Sequence, residues 1–134
     1  MSHATQSNAD DERLSLTDWD EHPAARAEAL EAVQRYLEDG NKLGAARFRA
    51  ARLATLDFIL TWPGSPAVDK DVPADPPVQS FTMGKKWKRR IVYQQRKNGL
   101  VWILAYAPTD REPGYWVERL DDLPPGEKTQ SNAT

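Results

Sequence analysis

The chain has 134 residues, so a single domain is expected, long enough to bury a core of its own. It has no cysteine, which excludes a disulfide framework, a thiolate zinc site and a cysteine nucleophile, and fits a reducing compartment. The net charge of −2 hides segregation: residues 1–39 carry ten acids and three bases, whereas residues 85–106 carry seven bases and no acid. Local field therefore says more about partners than net charge does.

The first stretch, MSHATQSNADDER, is polar and acidic, without the basic region and apolar run of a secretion signal. No apolar stretch approaches the length of a membrane span, so a cytoplasmic protein is expected. Residues 1–11 and 124–134 read as disordered tails around one domain, residues 12–123. Arg13 to Thr17, RLSLT, reads as a short strand. Asp18 reads as a helix N-cap, with Glu21 three residues later and Pro23 in the first turn. The first helix is predicted to run to about Asp39, its core stripe formed by Ala27, Leu30, Val33 and Leu37 with Tyr36 beside it; Gly40 takes the left-handed cap.

A second helix is predicted from about Asn41 to Trp62. Phe48, Ala51, Thr55, Phe58 and Trp62 share a face that Leu53, Leu56 and Leu60 broaden. So short a turn packs the two helices as an antiparallel hairpin. Residues 63–77 hold five prolines and read as a loop. From Val78 the period changes to two: VQSFTM, RRIVYQQ and LVWILAY read as three strands, the last two joined at Asn98-Gly99. LVWILAY is apolar almost throughout, so both its faces are expected to be covered. Pro108 is expected to end the ladder. PGYWVERL then reads as a short helix or turn that lays Tyr115, Trp116 and Leu120 on the sheet. The fold class is α+β: an N-terminal strand, an antiparallel helix hairpin packed on one face of a small antiparallel sheet, and a short C-terminal helix.

This order, together with two segments, resembles the RelE/ParE toxin superfamily. YLEDGNKLGAARFRAARLATLDFILTWPGSP, residues 36–66, is similar to the ParE-like helix hairpin. RRIVYQQRKNGLVWILAYAPTDREPGYWVERL, residues 89–120, is similar to the closing strands and the Pro-Gly-Tyr-Trp tail. The resemblance covers roughly residues 13–121 and leans towards the ParE-like branch. It implies the toxin of a type II toxin–antitoxin system. Such a toxin assembles with a cognate antitoxin and inhibits growth, either by metal-independent mRNA cleavage on the ribosome or by poisoning DNA gyrase. One departure stands out: where many such tails carry a His-Gly pair after the last strand, this chain has Ala107-Pro108-Thr109. A catalytically inactive interaction protein on the same fold is the alternative.

Cleaving RNA requires a proton acceptor for the 2′-hydroxyl, a cation for the developing phosphorane charge and an acid for the leaving oxygen. The candidate catalytic residues are Arg89, Arg111, Tyr115 and Arg119, the last three in the tail where family activity resides; Arg111 and Arg119 are expected to be exposed. Lys85, Lys86, Lys88, Arg90 and Tyr93 are the candidates for binding target or antitoxin, whose acidic side chains are expected against residues 85–90. Arg89 and Arg90 alternate across a strand, so one faces the helices and the other outward, where it is placed to hold phosphate. For each arginine the plainer reading is a solvated strand charge, and for Tyr93 it is core packing with a bonded hydroxyl. The same reading assigns Trp116 to the sheet. Arg47, Arg49 and Arg52 form a further basic group on the second helix. No cofactor is expected, and no metal, because His3 and His22 are the only histidines and Asp18, Asp20 and Glu21 are explained by helix capping.

Overall fold

Pro23 decides how the described chain begins. The structure, a computed structural model, describes residues 18–125; the predicted strand at residues 13–17 and nearly all of both predicted tails lie outside them. A residue before proline is pushed to extended backbone, and proline itself suits the first helical position. Trp19–Glu21 is accordingly a strand, β1, and the first helix, α1, spans Pro23–Glu38. The expected cap at Asp18 is therefore wrong. His22 caps the helix, its Nδ1 accepting from the Ala24 N–H at 3.0 Å while Nε2 meets Asp122 at 2.8 Å. Gly40, at φ +72°, turns the chain into α2, Lys42–Thr61, as expected.

Three further strands follow the proline loop: β2 (Val78–Thr82), β3 (Arg89–Gln95) and β4 (Val101–Pro108). The sheet order is β1-β4-β3-β2. β2, β3 and β4 form the predicted antiparallel meander, but β1 runs parallel to β4, so the sheet is mixed rather than wholly antiparallel. A strand that leads into a helix hairpin and is rejoined only by the last strand has no hairpin constraint to make it antiparallel. Pro108 does not break the ladder early: it pairs with Arg89 at the end of β4. At the Asn98-Gly99 turn only Gly99 takes positive φ.

β4 is buried from Val101 to Tyr106, as its unbroken apolar run predicts. Ile103 and Tyr106 meet the helices, whereas Trp102, Leu104 and Ala105 meet Trp116 on the other face. Tyr115 and Leu120 pack beside Trp116, and a 3-10 helix at Val117–Asp121 closes the segment. The predicted helix stripes need correction. The core side of α1 is Ala25, Ala29, Ala32 and Val33, while Leu30 and Leu37 are exposed. Alanines let the α1 backbone approach α2 and β4 closely, which a leucine stripe would prevent. On α2, Leu56, Ile59 and Leu60 are buried with Phe48, and Trp62 lies in solvent. No helix among the described residues is long and apolar enough to cross a membrane.

The proline loop hangs from the sheet by side-chain amides. The Pro63 carbonyl accepts from Tyr93 Oη, Gln79 Nε2 and Gln95 Nε2, and the Pro76 carbonyl accepts from Gln94 Nε2. Proline has no N–H to offer a sheet, but its carbonyl is a free acceptor, so buried glutamines at the strand ends are the natural holders.

Candidate functional site

The corner where β3 begins and β4 ends gathers most of the chemistry. Arg89 is the register partner of Pro108. Beyond Pro108, the Thr109 N–H donates to the Lys88 carbonyl, and the Arg111 N–H returns to the Pro108 carbonyl at 3.2 Å. A strand pair and a tight turn thus place Arg89 and Arg111 on one corner, although they are far apart in sequence.

The alternation expected for Arg89 and Arg90 is present. Arg89 turns towards the helices, donating Nη1 to the Tyr106 carbonyl at 2.9 Å with its guanidinium over the Phe48 ring. Arg90 faces the opposite way and donates Nε to Ser80 Oγ at 3.0 Å. The helix-facing Arg89, not the outward Arg90, lines the larger cleft. That cleft encloses about 340 Å³ between α1, which contributes Glu28, Glu31 and Arg35, and the corner, which contributes Arg89, Asp110 and Arg111. A smaller cleft of about 230 Å³ lies on the other face, where Arg90, Ser80, Tyr115 and Trp116 form part of the wall. Arg111 borders both.

Tyr115 and Arg119 are held inward by a residue that the sequence reading missed, Glu28. Pairing between β1 and β4 ends at Ile103, and a register shift leaves β4 irregular next to it, so backbone groups beyond that point need other partners. The Tyr106 N–H donates to Glu28 Oε1 at 3.0 Å, and the Leu104 carbonyl accepts from Arg119 Nη1 at 2.9 Å. Arg119 grips both oxygens of Glu28, at 3.1 and 2.9 Å, and Tyr115 Oη donates to Oε2 at 2.6 Å. The side chains of Arg119 and Glu28 are only 16% and 13% exposed, so the expectation of an exposed Arg119 is corrected. Glu28 falls on the Ala25, Ala29, Ala32 stripe, and an acid on a buried stripe is the signal that identifies it. Burial, reinforced by Glu28, pushes the Tyr115 phenol well above its ordinary range.

A second network was also missed. Arg52 Nη2 meets Glu21 Oε2 at 2.7 Å and its Nε donates to Tyr106 Oη at 3.0 Å, while Tyr106 Oη donates to Glu21. Burial raises the Tyr106 phenol far above its usual value, although Arg52 pulls the other way. Arg52 therefore does not belong with Arg47 and Arg49, which remain exposed on α2. Tyr93 is fully buried with its hydroxyl on Pro63, and its phenol is raised by that burial. Lys85, Lys86 and Lys88 are exposed in the β2–β3 turn, with Lys86 over the Trp87 ring at 5.1 Å and Lys88 in the left-handed region at φ +53°. Trp87 rests on Phe48 and Tyr36, so this lysine turn adjoins the first turns of α2 and their Arg47 and Arg49.

Arg111 differs from Arg119. It is exposed, and its guanidinium stacks on the Tyr115 ring 3.7 Å from the centroid. Neither Arg89 nor Arg111 is ion-paired among the described residues. Among those residues there is also no group of three His, Asp or Glu arranged to hold a metal. The arrangement can grip an anion by forked hydrogen bonds. No family model, curated protein or solved structure matches the chain.

Proposed function

We propose that the chain is the toxin of a toxin–antitoxin pair on the RelE/ParE plan, and that it inhibits growth by gripping a protein target rather than by cutting RNA. In the ParE-like branch that the sequence resembles, the target is DNA gyrase. The reading is supported by the element order, by residues 89–120 and by the basic corner. The observation that carries the choice between activities is the double attachment of Tyr115 and Arg119 to Glu28. A phenol held protonated and bonded to a carboxylate is no base, and it surrenders its proton poorly. An arginine engaged on both forks has little left for a phosphorane. Arg89, Arg111 and the lysine turn keep their charge available, which serves binding. A cognate antitoxin with an acidic segment would cover the same corner and neutralise the toxin, with association that weakens as salt rises.

The test is induced expression of the whole chain without antitoxin, following growth, transcript integrity and plasmid supercoiling together. Growth arrest with intact transcripts and altered supercoiling is expected. Transcripts cut before growth stops would overturn the non-cleaving reading. Normal growth at full expression would leave the inactive interaction protein.

A further inference from the structure

Two arginines with neutral supports and no ion pair among the described residues line one cleft. Arg89 is braced by the Tyr106 carbonyl and Arg111 by the face of Tyr115, both neutral groups. A brace of this kind fixes the plane of a guanidinium and leaves its remaining N–H edges to a visitor. The other charges in the cleft are largely matched: Glu28 by Arg119 at 2.9 Å, and Glu31 by Arg35 at 3.8 Å. Asp110 is the remaining acid in the lining.

We propose that this cleft between α1 and the Pro108 corner receives a carboxylate side chain from an acidic segment of a partner protein, seated between Arg89 and Arg111. The inference rests on the binding reading above and names the chemistry of its partner. Three features favour an acidic peptide over a nucleic acid. Arg89 and Arg111 exceed Asp110 by one positive charge, which suits a single monoanion. The Tyr115 ring has Arg111 over it at 3.7 Å and Arg119 at 5.3 Å, so it is no platform for a base. Asp110 in the lining can accept an N–H from a peptide backbone, a donor that a phosphate backbone lacks.

The experiment uses the purified full chain and a dye-labelled glutamate–serine peptide, read by fluorescence anisotropy, with a glutamine–serine peptide and a single-stranded oligothymidylate of equal charge as comparators. The glutamate peptide should bind and the glutamine peptide should not. Arg111→Gln should weaken binding about tenfold, and Arg111→Lys nearly as much, because the fork is lost with the charge kept. A Lys85→Gln/Lys86→Gln double variant should weaken it less than about threefold, as expected of long-range steering alone. Failure of the glutamate peptide to bind overturns the proposal. So does full binding by Arg111→Lys together with loss in the double-lysine variant, which would mean diffuse attraction. Oligothymidylate binding at least as tightly, and dependent on Arg111, overturns it in favour of phosphate. Toxicity does not enter these measurements. A harmless chain that binds the peptide refutes only the toxin reading, and a toxic chain that ignores it refutes only this one.

Discussion

Four arginines surround the far end of β4, and they divide into two kinds. Arg52 and Arg119 each meet a largely buried glutamate, Glu21 and Glu28, and each shares that glutamate with a tyrosine hydroxyl. Arg89 and Arg111 have a carbonyl and an aromatic face instead, and no counter-ion among the described residues. The first pair knits the strand end to the helix layer and the tail. The second pair is held in place without being neutralised. The same residue type thus does opposite work, and what separates the two uses is the charge of the supporting group.

The comparison breaks most easily at Glu28. Its carboxylate satisfies Arg119, the Tyr115 hydroxyl and the Tyr106 N–H together. Glu28→Ala leaves a largely buried guanidinium without its partner, so a loss of about 3–5 kcal/mol is expected in denaturant unfolding. Glu28→Ala combined with Arg119→Met should recover part of that loss, because an unpaired charge then no longer remains. A loss under about 1 kcal/mol for the single variant would place Glu28 and Arg119 with the loosely held charges instead.

Alkaline titration tests the tied region in another way. Tyr106 and Tyr93 keep their protons in the folded chain above the range where ordinary tyrosines ionise, chiefly because both are buried. Unfolded tyrosines ionise near about pH 10. Above that point the unfolded chain has released protons that the folded chain retains, so stability is whole below it and falls as pH rises. The fall is about 1.4 kcal/mol per pH unit for each such tyrosine. Phenolate absorbance from these two residues should therefore appear together with the loss of circular dichroism. Full ionisation near pH 10 with the fold intact would contradict the burial argument.

Much of the layout was legible because its signals are local. Pro23, Gly40 and Pro63 punctuate the two helices, and alternation marks β3 from Arg89 to Gln95. β1 was misread because three residues are too few to establish a period and its partner, β4, lies some eighty residues away. The core side of α1 was misread because leucine outweighs alanine in any count of apolar spacing, whereas close packing selected the alanines. In the candidate site, Arg89 and Arg111 could be named from the sequence. That Arg119 is tied could not, because its partner lies 91 residues earlier. Tyr93 shows the same division: its place on a buried strand follows from alternation, but its hydroxyl meets Pro63, 30 residues away. Tyr93→Phe should cost about 1 kcal/mol, since Gln79 and Gln95 still hold that carbonyl. Hydrogen exchange of residues 67–80 reads the effect locally, and a cost too small to measure would mean that the glutamines alone hold the loop.

The smallest expected effect on stability is the one that sharpens the comparison most. Arg111 is exposed, has no ion pair among the described residues, and contributes to the fold mainly by covering the Tyr115 ring. Arg111→Ala should therefore change stability by no more than about 0.5 kcal/mol. Arg119→Ala leaves Glu28 short of its cation and the Leu104 carbonyl without its donor, so it should cost several times as much. If the chain is a toxin, both variants should weaken growth arrest when expressed without antitoxin, but for different reasons. The Arg119 variant should do so with a lowered melting temperature and a loosened tail, and the Arg111 variant with the melting temperature of the parent. Measuring toxicity and melting side by side separates a residue that binds from one that builds. An Arg111→Ala chain that melts normally and remains fully toxic would remove the Pro108 corner from the target surface, and would shift attention to Arg47 and Arg49 beside the lysine turn.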